Sequence, residues 1–179
     1  MAYMTRYVAL LRGINLGAHR RIAMADLRAL AADLGYTDVA THLQSGNVVL
    51  SAPDEDPAHV AERIRDAIHR ETGMDVPTVV RTADRLRAAV AANPLDVPDP
   101  ARFLVLFCSG SLDVAGLRAL DLSDLPEERL AVTATEAYTD HRRGVRHAKV
   151  PDIVARHADG FLTGRNWRTV LRLVEMAKG

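Results

Sequence analysis

Cysteine is almost absent from this chain. The 179 residues hold one, Cys108, and a lone thiol cannot close an internal disulfide, the mark of oxidising compartments. Aromatics are scarce at 4%, so a core must be built mostly from Leu, Val, Ile and Ala. No apolar run approaches the roughly 20 residues of a membrane helix. No basic leader followed by an apolar stretch opens the chain, so no secretory signal is expected. Excess charge is missing too: Lys+Arg and Asp+Glu stand at 23 each. No global field therefore draws the protein to nucleic acid or a membrane. A Walker loop is absent, and the stretch 12–17 has only two glycines, short of a dinucleotide fingerprint. His141, His147 and His157 have no carboxylate or cysteine at ligand spacing, so no metal is expected. These absences predict a reduced, cytoplasmic, soluble protein with no cofactor and no membrane partner.

What is present suits one globular domain or two small joined ones. Residues 7–11 are apolar at every step, which predicts a central strand over 6–11 covered on both faces. Met24, Leu27, Leu30, Ala31 and Leu34 recur at helical spacing, and Gly35 supplies a stop. Alternation predicts strands over 39–43 and 47–51, with Ser45-Gly46 as the turn between them. Asp56 as N-cap and Pro57 at the first helical position open a second helix that ends at Gly73. A strand over 76–81 follows, then a short helix capped by Thr82.

Pro94, Pro98 and Pro100 block helix and discourage strand, so 94–101 reads as a connector between subdomains 1–93 and 102–179. The second half repeats the order. It has a buried strand at 102–108, a helix opened by Ser111 or Asp113, strands at 129–133 and 135–139, and helices near 151–158 and 166–177. Trp167, Val170, Leu171 and Val174 are expected to form the apolar stripe of the last helix. The expected fold is α+β: two ferredoxin-like (βαββα-type) subdomains packed together, mostly antiparallel sheets with helices on one face.

Three polar stretches interrupt this pattern. They are Arg12-Gly13-Ile14-Asn15-Leu16-Gly17, Gln44-Ser45-Gly46-Asn47 and Gly164-Arg165-Asn166-Trp167. With Tyr7-Val8-Ala9-Leu10-Leu11 before the first, Met24-Ala25-Asp26-Leu27, and Val48-Val49 after the second, the chain resembles the DUF1697 family over nearly its whole length. That family comprises small bacterial proteins without an assigned function. The resemblance implies a two-part α+β architecture and carries no activity with it. Near the C-terminus the family pattern has a glycine turn, then a small hydroxyl residue and a lysine. Gly144 and Lys149 match it; Ala148 stands where the hydroxyl is usual, and Arg146 where a glycine is usual.

The residue types of the three stretches point to an anion pocket. Arg12 offers a planar donor fork suited to phosphate or carboxylate. Asn15, Gln44, Ser45 and Asn47 can donate and accept. Arg165 and Asn166 are expected near a helix N-terminus, where free N–H groups favour anions, and Lys149 is a further candidate. The alternative is that these amides satisfy loop backbone, that Arg12 pairs with an acid, and that Asn166 caps the last helix. An interaction module would then be the reading.

Local charge is uneven. Residues 94–128 carry seven acidic and two basic side chains; residues 141–172 carry eight basic, two acidic and three histidines. A basic quarter could touch nucleic-acid phosphates, but a solvated face paired with the acidic quarter is the preferred reading. Tyr7, Phe103 and Tyr138 are too scattered for the stacking platform of a single-strand RNA reader. Ser45 lacks the Gly-x-Ser-x-Gly elbow of a serine nucleophile. Only His42 or His19 could serve as a base, so positioning and charge would dominate any chemistry.

Overall fold

The computed structural model describes residues 3–179. The chain divides into two compact units, Met1–Arg87 with Leu173–Gly179, and Ala88–Arg172. The expected boundary was the connector 94–101. The division instead falls inside a helix, and the last seven residues belong to the first unit.

The first unit runs β1 (Met4–Leu11), α1 (Met24–Asp33), β2 (Thr37–His42), β3 (Asn47–Pro53), α2 (Pro57–Thr72), β4 (Thr78–Thr82) and the start of α3 (Ala83–Ala91). Its strands form an antiparallel sheet in the order β2-β3-β1-β4. The local signals explain the elements. Asp56 accepts from the Ala58 N–H and Pro57 starts α2. Gly73 ends that helix in the left-handed conformation, which glycine adopts without steric cost. Side chains alternate across β1, so Tyr7, Ala9 and Leu11 share one face. They pack with Val48 and Leu50 of β3 against Leu27 and Ala31 of α1 and Val60, Ile64 and Ile68 of α2. Each such large side chain contributes roughly 1.5–3 kcal/mol when fully buried.

The second unit, after the rest of α3, runs β5 (Phe103–Cys108), β6 (Ser111–Leu112), α4 (Val114–Arg118), β7 (Glu128–Val132), β8 (Glu136–His141), a 3-10 turn (Val145–His147), α5 (Val150–Arg156), β9 (Ala158–Asp159), β10 (Leu162–Asn166) and the start of α6 (Trp167–Met176). The main sheet is again antiparallel, in the order β10-β5-β8-β7. Both units therefore share one topology, with strands ordered last, first, third, second. This is the mixed α+β, ferredoxin-like arrangement expected. Leu106, Cys108, Val132 and Ala137 of the sheet pack with Leu117 of α4 and Val150 and Val154 of α5.

Two local expectations are corrected. The stretch 164–167, expected to interrupt the strand–helix pattern, lies instead at the end of the edge strand β10, paired to β5 from Leu162↔Cys108 to Asn166↔Leu104, and at the start of α6. The buried stripe of α6 is Val170 and Leu173, continued just past the helix by Ala177, while Leu171 is 44% exposed. The stripe is rotated relative to the one expected, because Leu173 and Ala177 return to the first unit with the C-terminal end of the helix.

Candidate functional site

The end of β1 and the β2–β3 turn meet in the first unit. The Leu11 N–H donates to the Gly46 carbonyl at 2.9 Å, and the Arg12 N–H to the Pro77 carbonyl at 2.9 Å. Gly46, at φ 83°, presses against the other loop. A Cβ there would lie 2.7 Å from Leu11 Cβ and 2.8 Å from Ile14 Cδ1. Only glycine combines that conformation with that contact.

Asn15 ties the two loops. Its Nδ2 donates to the carbonyls of Ile22 (2.9 Å) and Gln44 (2.6 Å), and its Oδ1 accepts from the Ile22 N–H (2.9 Å). Asn47 is buried; its Nδ2 donates to the His42 carbonyl (2.9 Å) and Ser45 Oγ (3.1 Å). The basic run also holds the loop. Arg20 donates to the carbonyls of Gly13 (3.1 Å) and Asp75 (2.7 Å), and Arg21 to that of Gly17 (2.9 Å). Asn15 and Asn47 thus act through backbone, as frame. Arg12 and Gln44 are exposed and Ser45 is half-buried. The Arg12 guanidinium makes no hydrogen bond or ion pair with a described residue, so the pairing with a neighbouring acid does not occur among them. His19 is exposed and His42 half-buried.

Lys149, Arg165 and Asn166 stand in the second unit. Arg165 is buried in β10, and its Nη1 donates to Thr163 Oγ1 and the Gly164 carbonyl, both at 2.8 Å. Burial lowers its guanidinium to about 10, which leaves it charged at neutral pH. It is a buried strand residue, not a group beside a free helix end. Asn166 caps α6: its Oδ1 accepts from the Thr169 N–H at 2.9 Å. Lys149 precedes α5 with its side chain exposed, and its N–H donates to Glu128 Oε1 at 2.8 Å.

Glu128 is a residue the sequence reasoning missed. Its Oε2 accepts from the Val150 N–H (3.0 Å) and faces His141 Nδ1 at 3.1 Å. A carboxylate only accepts, so Nδ1 carries the proton and Nε2 accepts from the Thr139 hydroxyl at 2.7 Å. Burial pushes the His141 pKa below its ordinary value, against the upward pull of Glu128 and Asp140. The available signal was the switch from acidic to basic residues between 94–128 and 141–172. It pointed to paired segments without naming the pairs. Among the described residues, no group of three or more His, Cys, Asp or Glu could hold a metal ion.

The model of a family described as a protein of unknown function, DUF1697, matches residues 4–138. The chain belongs to the DUF1697 family. The matched span holds the Arg12 and Gln44 stretches but ends before Lys149, Arg165 and Asn166. None of the curated proteins matches the chain. A solved structure of a conserved bacterial protein from Streptococcus pneumoniae is similar, with 26% identity and a TM-score of 0.76. The likeness covers 98% of this chain and 100% of that one, so both halves of the α+β architecture recur there. No helix among the described residues of this DUF1697 member is long and apolar enough to cross a membrane.

Proposed function

We propose that this protein binds a small phosphate-bearing ligand at the loop cluster around Arg12 and the turn 44–47. The observation that carries the reading is an exposed Arg12 guanidinium with no bonded partner among the described residues, mounted on loops pinned by Asn15 and Asn47. A fixed base lowers the ordering cost of binding, and the guanidinium fork suits a phosphate. The Gln44 amide and Ser45 hydroxyl are the neighbouring groups that would complete its coordination. Backbone conformation supports the reading. Of the four non-glycine residues at positive φ among the described residues, Asn15, Arg20 and Leu43 lie in these two loops. Such conformations cost on the order of 1–3 kcal/mol each and gather at functional sites. A reducing cytoplasm is the setting we propose, in keeping with the single buried Cys108.

Thermal melting with ADP, ribose 5-phosphate and pyrophosphate tests this. A ligand at a hundredfold excess over its Kd adds about 2.7 kcal/mol, or about 5–10 °C for a chain of this size. Wild type should show that rise and Arg12→Ala should show a clearly smaller one, while both melt at the same temperature without ligand. If none of the three compounds moves wild type, the phosphate reading fails and the interaction-module reading gains.

A further inference from the structure

We propose that the second unit carries its own binding site, a cleft of about 760 Å³ that takes a phosphate-bearing molecule of nucleotide size. The site shares no residue with the Arg12 cluster and does not rest on it. Small-molecule sites occupy about 300–1,000 Å³, and this volume falls within that range.

The cleft has two walls of opposite character. One is the segment 124–128, with Asp124 and Glu127 around Leu125 and Pro126. The other is the segment 141–149, with Arg142, Arg143 and Lys149. Of the three carboxylates that line the cleft, Glu128, which lies next to the basic wall, is engaged elsewhere. Both oxygens of Glu128 are held by the Lys149 and Val150 N–H groups and by His141. Arg142, Arg143 and Lys149 are exposed, and their side chains make no hydrogen bond or ion pair with a described residue. Arg142 adds only a minor pull on the Asp96 carboxyl, which Arg129 holds below the usual range.

The frame beneath these cations is fixed. The Arg142 N–H donates to the Glu127 carbonyl (3.0 Å), the His141 N–H to that of Arg102 (3.1 Å), and the Gly144 N–H to that of His141 (2.9 Å). Arg102 Nη1 donates to the Arg142 carbonyl at 2.6 Å. The segment is therefore tied to the opposite wall at Glu127 and to β5's approach at Arg102, and only the cationic side chains remain to be ordered by a ligand.

The pairing of walls sets the ligand class. A phosphate or diphosphate lies against Arg142, Arg143 and Lys149. Asp124 and Glu127 accept from hydroxyl or amino groups at the other end, over the apolar surface of Leu125 and Pro126. The same acids repel a continuous phosphate backbone, so the cleft favours a nucleotide or sugar phosphate over a nucleic-acid strand.

Titration calorimetry with ADP, ribose 5-phosphate and pyrophosphate, done in the Arg12→Ala background, isolates this site. We expect all three to bind there. The pair Arg143→Ala, Lys149→Ala should weaken each at least tenfold with the melting temperature unchanged. The pair Asp124→Asn, Glu127→Gln should weaken ADP and ribose 5-phosphate and spare pyrophosphate. No heat with any probe, or equal binding with and without the two cations, overturns the proposal. Binding that vanishes with Arg12→Ala alone overturns it as well and leaves the loop-cluster reading standing. Salt-sensitive binding of a 12-nucleotide single strand that is tighter than that of ADP overturns the ligand class in favour of nucleic acid.

Discussion

Asn15 and Arg12 sit three positions apart and face opposite tasks. Asn15 satisfies both backbone groups of Ile22 and the carbonyl of Gln44; Arg12 makes no such bond with a described residue. Asn15→Ala should leave three backbone groups short of partners. We expect a loss of about 2–3 kcal/mol in urea unfolding, since each unsatisfied group costs about 1–3 kcal/mol and part of the loop regains water. Gly46→Ala should cost about 2–3 kcal/mol, because it combines overpacking with a disallowed φ. Its Cβ would crowd Leu11 and Ile14. Arg12→Ala should stay within about 0.5 kcal/mol of wild type, as an exposed side chain with no bond to lose. A large loss on Arg12→Ala would show that the guanidinium is structural.

Helix α5 begins where Glu128 of β7 receives its first N–H groups, so one carboxylate joins a strand, a helix and His141. Glu128→Ala should lower stability by about 2–4 kcal/mol, the sum of a lost cap and an orphaned buried histidine. Glu128→Gln should cost less, because its amide oxygen still accepts. Chemical denaturation of the two variants checks the order. Strand β10 shows why some elements resist reading from sequence. Leu162-Thr163-Gly164-Arg165-Asn166 has the glycine and charge of a turn. It is a strand because β5 offers an open edge. Gly164 is accommodated there because a Cβ would come within 3.0 Å of Leu106 Cδ2, the close approach for which strands use glycine. The Asp56-Pro57 start and Gly73 stop of α2 were legible because caps are local chemistry.

At the scale of the whole molecule, the balanced charge leaves a buried histidine as a source of pH sensitivity. His141 is buried with its pKa lowered by desolvation. Above its unfolded value of about 6.5 both states are neutral and the group has no effect. As pH falls below that, the unfolded chain takes the proton first, so stability declines until the folded histidine is protonated too. Unfolding free energy should therefore drop between pH 7 and 5.5, and His141→Gln should flatten that drop. A wild-type profile that rises with acid would reject the assignment. The C-terminal return is a second property of the whole. Leu173 and Ala177 are buried, and Arg6 Nη2 donates to the Met176 carbonyl at 3.1 Å. Deleting residues 173–179 should cost about 4 kcal/mol through lost burial and a stranded arginine, read as an earlier urea midpoint.

Sequence alone determined the order of elements in the first unit, the α+β class and the family, but not the strands β6, β9 and β10 of the second. Periodicity, caps and turn glycines act over a few residues and are written in neighbouring positions. It also marked Arg12 and the turn 44–47 as one polar cluster. Only the tertiary structure decided which way each polar group faces: Asn15 and Asn47 into the loops, Arg165 into the sheet, Glu128 onto a helix start. Those directions depend on which unpaired carbonyl or N–H from a distant segment lies within about 3 Å, and no local pattern carries that distance.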